Sequence, residues 1–170
     1  GVYVPVEFEM HPQILGIMFE VRSDLLAEGS DAANRVAGAL AQVLTAAEEI
    51  AGLIEGFTVV VTKSTVPVGT GDEVEAIIRK TNPKADFAVV SNPEFLREGA
   101  AIGDFKRPDR VVIGVNEDAA AERAHTVMSE LYRPLNLNES PLLFVGRRTS
   151  ELIKYAANAF LATKITFINE

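Results

Sequence analysis

The chain contains no cysteine, and its 16 basic residues are outnumbered by 24 acidic ones. Without cysteine it forms no disulfide and no thiolate metal site, and no thiol of its own can act as a nucleophile. The basic residues are not gathered into a stripe that could follow a phosphate backbone, so we expect no nucleic-acid partner. No apolar run approaches the roughly 18 residues of a membrane span, and the first residues lack the pattern of a secretory leader. We therefore expect a cytoplasmic protein.

Histidine is also scarce. His11 and His125 are the two in the sequence, and neither has a neighbouring Cys, Asp or His at ligand spacing. Bound metal usually needs three or four such side chains at close spacing, so no metal site is expected.

Apolar residues make up 48% of the chain, enough for a folded domain with a core. From about residue 39 onward, strand and helix patterns alternate, which predicts an α/β fold with a parallel sheet. The predicted strands are 57–62, 87–90, 110–115 and 142–145. The predicted helices are 39–54, 70–80, 94–98, 117–131 and a long one from about 149. Residues 1–38 show no clear pattern, although Pro5 would confine a strand at 2–8 to a sheet edge.

The polar loop 63–69 follows a predicted buried strand and precedes a helix. Ligands collect at the carboxyl ends of strands in open α/β sheets, so Thr65 is a candidate to bind a cofactor or a catalytic water. An ordinary connection between strand and helix is the alternative. Thr70 and Glu73 have the spacing of a capping box and predict the start of the helix.

A second polar segment, 91–99, directly follows the next strand. Glu94 and Glu98 are four residues apart, which in a short helix places both carboxylates on one face. One of them could then act as a general base toward water, and the free N–H groups of the turn could bind an anion. The alternative is that acidic residues stand in a first helical turn only because the helix dipole favours them.

The third segment, 151–165, is apolar on nearly every side, which predicts a buried helix. Lys154 and Asn158 interrupt it on one face, and burying them requires polar partners. Those partners are either a bound substrate or a carboxylate such as Glu94 or Glu98. The pair 147–148, both arginines, either contacts phosphate or is solvated.

Three strings together resemble the UDP-glucose and GDP-mannose dehydrogenase family, and the UDP-glucose branch matches best. They are KSTVPVGT at 63–70, SNPEFLREGAAIGDFKRPDRVVIG at 91–114 and ELIKYAANAFLATKITFINE at 151–170. The resemblance implies a Rossmann-like fold, the cofactor NAD and oxidation of the C6 alcohol of UDP-glucose to a carboxylate by two hydride transfers. It also implies a thioester intermediate on a cysteine and a homo-oligomeric intact enzyme.

The resemblance also implies roles for individual residues. Thr65 is expected near the nicotinamide, where it helps to bind a water, and Glu98 is expected to contact the cofactor. Glu94 is the expected general base for thioester hydrolysis. Lys154 and Asn158 are expected to stabilise the oxyanion at C6. The sugar is expected to lie against the segment 94–98, which consists of Glu94, Phe95, Leu96, Arg97 and Glu98.

Two features of the family are absent from this sequence, namely the G-x-G-x-x-G turn for the pyrophosphate and the cysteine. We therefore interpret residues 39–146 as the later half of the NAD-binding domain, 147–170 as the start of a central linking and dimerisation helix, and 1–38 as unassigned. We expect the chain to be an internal fragment that is inactive alone. The alternatives are a catalytically dead dimerisation or regulatory module, and a dehydrogenase for GDP-mannose or another nucleotide sugar. Half a sheet leaves an open edge, so we expect self-association or poor solubility.

Overall fold

The computed structural model describes residues 14–17, 31–96, 99–135 and 142–169, and these ranges contain five strands and five α-helices. The strands are β1 (Ile14–Ile17), β2 (Thr58–Thr62), β3 (Phe87–Ser91), β4 (Val111–Val115) and β5 (Leu142–Gly146). The helices are α1 (Asp31–Ala51), α2 (Thr70–Thr81), α3 (Ala101–Lys106), α4 (Ala121–Tyr132) and α5 (Arg147–Asn169), and a 3-10 turn at Arg133–Leu135 follows α4. The four strands predicted from the sequence are confirmed to within a residue or two. The short strand β1 was missed, and the proposed edge strand at 2–8 lies outside the described residues.

The five strands form one sheet in the order β1-β2-β3-β4-β5. Neighbouring strands are parallel except β3 and β4, which run antiparallel and pair only at Ser91 and Gly114. A parallel connection usually needs a helix that packs on the sheet, whereas α3 buries no residue. The chain therefore turns back after β3. The predicted α/β fold is confirmed, and the antiparallel pair is a departure from an all-parallel sheet.

Helices cover both faces of the sheet, which explains the continuous apolar runs of the strands. Along β2, Val60 faces α1 and α2, while Val59 and Val61 face the opposite core with α4. The first core includes Ala47, Val74 and Ile78. The second includes Val90, Ile113 and Met128.

Helix α1 begins at Asp31, eight residues before the predicted start at Ala39. Gly38 lies inside it, and a glycine costs about 1 kcal/mol relative to alanine within a helix without ending it. The helix predicted at 94–98 is wrong for its described part, because residues 92–96 are irregular and the next helix starts at Ala101.

Helix α5 is only partly buried, which contradicts the prediction of a buried helix. Its 23 residues span roughly 35 Å, whereas a five-residue strand spans roughly 17 Å. The second half of the helix therefore extends past the sheet, and residues 158–169 are exposed. Among the described helices, none is both long and apolar enough to cross a membrane.

Candidate active site

The first two turns of α5 bury a polar stripe, formed by Arg147, Ser150, Glu151 and Lys154. Their spacing of three, one and three residues places them on one face of the helix. Each contacts α2, β3 or the segment next to one of them. Ser150, for example, donates a hydrogen bond of 3.0 Å to the carbonyl of Ser91, the last residue of β3. The face that a core helix usually fills with apolar side chains is therefore polar here.

Glu151 binds the amino-terminal end of α2. Its carboxylate accepts hydrogen bonds from the backbone N–H groups of Gly69, at 2.6 Å, and of Gly71, at 2.9 Å. Burial raises the pKa of Glu151, and these two hydrogen bonds oppose the rise. The predicted capping box is wrong: the hydroxyl of Thr70 donates to the carbonyl of Pro67, and the helix end is satisfied from 80 residues away.

Arg147 joins α5 to α2 and β3. Its guanidinium donates to the carboxylates of Asp72 and Glu75, the latter at 2.8 Å, and to the carbonyl of Val89 at 3.4 Å. A Cβ on Gly71 would lie only 2.6 Å from the Cδ of Arg147, so glycine is needed there. Arg147 is thus neither a phosphate contact nor solvated, the two alternatives that the sequence left open.

The same arginine changes the titration of both carboxyl groups. Burial alone would raise the pKa of Asp72 and of Glu75. Hydrogen bonds from Arg147, helped by Arg148 for Asp72 and by Arg79 for Glu75, outweigh burial and hold both pKa values below their usual range. The carboxylates are therefore charged at neutral pH, as the buried guanidinium requires.

Lys154 is buried against the segment that follows β3. Its ammonium group donates to the backbone carbonyl of Glu94 and lies 3.3 Å from the carboxylate of the same residue. It also lies 5.2 Å from the centre of the Phe95 ring, with Arg110 at 5.3 Å from that ring. In this structure, the polar partner expected for Lys154 is Glu94.

In the described part of this segment, residues 92–96, the backbone is irregular. The backbone carbonyl of Glu94 accepts from the ammonium group of Lys154. The N–H of Leu96 donates to the Glu94 carboxylate at 2.7 Å. Glu94 therefore stands at the surface of an irregular segment, with its side chain 40% exposed.

A second polar cluster lies under this segment. The ammonium group of Lys63 donates to the Asn92 side-chain oxygen at 3.1 Å and to the Tyr132 hydroxyl at 3.2 Å. Tyr132 also donates to that oxygen, while the Asn92 amide donates to the carbonyl of Val112 at 2.7 Å. Burial lowers the pKa of Lys63 to about 8 and raises the pKa of Tyr132 to about 12. Asn92 is thereby fixed directly before Pro93 and Glu94.

A cavity of about 470 Å³ opens beside this cluster. Its lining includes Lys63 and Tyr132 from the cluster and Glu94, Phe95 and Leu96 from the segment after β3. Its remaining wall comes from the segment 104–111. The cavity is large enough for a sugar-sized ligand.

The structure brings some of the predicted site residues together. Glu94 and Lys154 are in contact, and Phe95 lies beside them. Thr65 is half-buried in the loop after β2, whereas Asn158 is exposed on α5, one turn beyond Lys154. Arg97 and Glu98 lie outside the described residues. The described residues contain no group of three or more potential metal ligands.

Comparison with known proteins gives the family. Residues 29–136 match the NAD-binding domain of the UDP-glucose/GDP-mannose dehydrogenase family, and residues 148–170 match its central domain. The chain belongs to this family. It is 75% identical over 131 residues to the UDP-glucose 6-dehydrogenase of Rhizobium meliloti strain 1021. It is 46% identical over 132 residues to UDP-glucose 6-dehydrogenase TuaD of Bacillus subtilis strain 168. Each alignment covers 77% of this chain, but only 30% and 27% of the relatives.

Solved structures agree with this family assignment. A UDP-glucose dehydrogenase from Pyrobaculum islandicum superposes with a TM-score of 0.63 at 40% identity, over 75% of this chain and 28% of that one. A GDP-mannose dehydrogenase from Pseudomonas aeruginosa gives 0.74 at 30% identity, over 92% of this chain and 34% of that one. The chain thus spans about a third or less of the length of the relatives it matches.

Proposed function

We propose that this chain carries the oxyanion-stabilising and water-activating part of the active site of an NAD-dependent dehydrogenase that oxidises the C6 alcohol of UDP-glucose to a carboxylate. The observation that supports this most is the contact between the buried ammonium group of Lys154 and the half-exposed Glu94 beside the cavity. The family membership supplies the reaction class, and 75% identity to a UDP-glucose 6-dehydrogenase favours this substrate.

The chemistry of the two side chains suits this role. Removal of hydride from a primary alcohol requires loss of the hydroxyl proton, and the resulting oxyanion is stabilised best by a cation held in a water-poor site. Lys154 is such a cation. Conversion to a carboxylate also consumes a water, and Glu94 lines the cavity from which it could accept the proton of that water.

NAD accepts the hydride when it is bound, and this chain offers residues for one side of it. Thr65 lies at the carboxyl end of a parallel strand, where α/β folds bind such cofactors, and Glu98 would also contact it. The sequence contains no G-x-G-x-x-G turn for the pyrophosphate. The residues of this chain therefore suit the nicotinamide side of NAD and not its pyrophosphate.

The substrate would lie along the segment after β3. Phe95 and Leu96 line the cavity and would contact the sugar. Arg97, the next residue in the sequence, would also contact the sugar. Lys154 and Asn158 would meet the oxygen at C6. Because Asn158 is exposed on α5, a ligand or another segment would have to cover it.

The 170-residue chain has no cysteine to form the thioester, so we expect no NADH when it is mixed with NAD and UDP-glucose. Measurable turnover would contradict the role assigned to that cysteine.

A second function, a dimerisation or regulatory module, is favoured by one observation: the exposed apolar side chains of the second half of α5. Co-purification with an intact dehydrogenase would support it.

A hybrid enzyme tests the proposed function directly. Residues 39–170 of this chain would replace the matching segment of the Rhizobium meliloti enzyme, which 75% identity makes feasible. We expect NAD-dependent oxidation of UDP-glucose, and we expect Lys154→Met to lower kcat by about 10² to 10³-fold.

The matched control is Lys164→Met, which removes the same charge from an exposed position of the same helix. It should leave kcat within about twofold of the unsubstituted hybrid, because surface changes away from a site have small effects. Equal kcat values for Lys154→Met and Lys164→Met would refute the oxyanion role.

A further inference from the structure

The carboxylate of Glu151 connects two parts of the site that are far apart in sequence. It binds the N–H groups of Gly69 and Gly71, which close the loop that carries Thr65. One helical turn further along α5, Lys154 binds Glu94. A single turn of α5 therefore contacts both the loop after β2 and the segment after β3.

A carboxylate suits this position because it has two acceptor oxygens and meets two N–H donors. An amide of the same shape can accept only one of these hydrogen bonds, and its NH₂ group would face the second N–H. Local capping of α2 is not available, since Gly69 has no side chain at the cap position. The side chain of Glu151 is buried, and burial of a carboxylate costs free energy that a Ser or Asp at the cap would not require.

We infer that Glu151 is a positioning residue, which fixes the Thr65 loop and the Lys154 side chain relative to each other. The inference rests on the function proposed above, because it assigns the reaction geometry to these two residues. Glu151 itself would not contact the reacting atoms. It acts through the helix turn that it shares with Lys154 and through the two glycine N–H groups.

The first test uses NMR of the 170-residue chain with Glu151→Gln. Loss of one hydrogen bond should move the amide resonances of Gly69 and Gly71 and speed hydrogen exchange at one or both of them at least tenfold. The Lys154 side-chain resonances should move as well. The matched control is Glu73→Gln, which removes the same charge from an exposed position in the first turn of α2. It should leave the Lys154 resonances in place.

If Glu151→Gln does not fold, an acid titration with Glu151 intact still decides. The resonances of Gly69 and Gly71 should follow one curve, that of the Glu151 carboxyl group. The Lys154 resonances should follow the same curve once Glu94→Gln has removed the carboxylate that lies 3.3 Å from the Lys154 ammonium group. The charged neighbours that act on Glu151, namely Asp72, Arg147 and Arg148, are followed in the same spectra. Lys154 resonances that do not move with those of the two glycines would overturn the inference.

The second test uses the hybrid enzyme. Misplacement of Lys154 affects the transition state more than the bound substrate, so Glu151→Gln should lower kcat about 10-fold to 100-fold with KM values for NAD and UDP-glucose within about threefold. Glu151→Ala should lower kcat further, and Glu73→Gln should not lower it. A raised KM at unchanged kcat, or equal effects of Glu151→Gln and Glu73→Gln, would overturn the inference.

The two proposals fail in different ways. If Lys154→Met leaves kcat unchanged, the proposed function fails whatever Glu151 does. If Lys154→Met lowers kcat but Glu151→Gln does not, only the positioning role of Glu151 fails.

Discussion

Lys63 is held in surroundings that disfavour its charge. Burial lowers its pKa to about 8, the charge of Glu94 opposes this, and the charge of Lys154 adds to it. The three side chains thus form an electrostatically coupled group next to the cavity. Any change in one should be measurable at another.

We expect Glu94→Gln to lower the pKa of Lys63 further, because it removes the negative charge that favours the ammonium form. Lys154→Met should raise that pKa, because it removes a positive charge. The measurement is the pH titration of the Lys63 side-chain carbon by NMR. Glu117→Gln changes the same charge at an exposed position and should leave the pKa near 8. If Glu94→Gln raised the pKa, the assigned coupling would be wrong.

Some of the site could be predicted from single residues. Lys154 was recognisable because an ammonium group in an apolar helix needs a partner, and Glu94 was one of the candidates. Glu151, Asn92 and Tyr132 were missed because their partners are backbone groups or side chains distant in sequence. The one signal in the sequence that could have indicated a buried polar stripe is the spacing of four polar residues on one helical face: Arg147, Ser150, Glu151 and Lys154.

At the level of elements, α5 is fastened to α2 by Arg147. Its side chain is 2% exposed, while those of Asp72 and Glu75 are 33% and 19% exposed. A buried cation with two carboxylates is hard to replace, since loss of the arginine leaves each carboxylate with only a more exposed partner, Arg148 for Asp72 and Arg79 for Glu75. Arg148 also pairs with Asp72, but from the surface.

We expect Arg147→Met to lower the free energy of unfolding by about 3 kcal/mol at neutral pH. The folded-state pKa values of Asp72 and Glu75 are lowered, so their stabilising contribution is complete above the unfolded pKa values of 3.8 and 4.5 and is lost as the pH falls through the folded values. The variant should therefore lose less stability in acid than the unsubstituted chain.

Urea unfolding at neutral and acid pH measures both effects. The control is Arg148→Met, which removes a surface partner of Asp72 and should have a much smaller effect. Equal destabilisation by the two variants would show that burial of Arg147 contributes nothing.

The strands were the most predictable elements, because runs such as FTVVVT suit a sheet that is covered on both faces. The helix predicted at 94–98 is wrong for its described part, residues 94–96. There Glu94 binds the ammonium group of Lys154, a partner 60 residues away that the local sequence pattern does not reveal. The burial of α5 was overestimated because an apolar pattern does not reveal the length of the sheet beneath it.

At the level of the whole molecule, the second half of α5 exposes an apolar surface formed by Phe160, Leu161, Ile165, Phe167 and Ile168. Water contact with so much apolar area is unfavourable, so we expect the 170-residue chain to self-associate through it. Light scattering should show a concentration-dependent mass. A monodisperse monomer that melts cooperatively would contradict this expectation.

The double variant Phe160→Glu and Ile168→Glu should shift the chain toward the monomer, because it places charges within that surface. Leu53→Glu is the matched control: Leu53 is 68% exposed but lies in the turn after α1. If Leu53→Glu shifted the mass equally, the association would not depend on α5.

The single backbone pair between β3 and β4 has a mechanical consequence. The strands β1, β2 and β3 form one fully hydrogen-bonded block, and β4 and β5 form another. Helix α5 spans the junction between β3 and β4. Its Arg147 and Ser150 donate hydrogen bonds to carbonyls of β3. The same helix lies so close to β4 that a Cβ on Gly114 would be 2.5 Å from the Cβ of Ser150. Under a pulling force, the sheet should separate between β3 and β4. Until the strands separate, the helix that carries Lys154 should bear most of the tension.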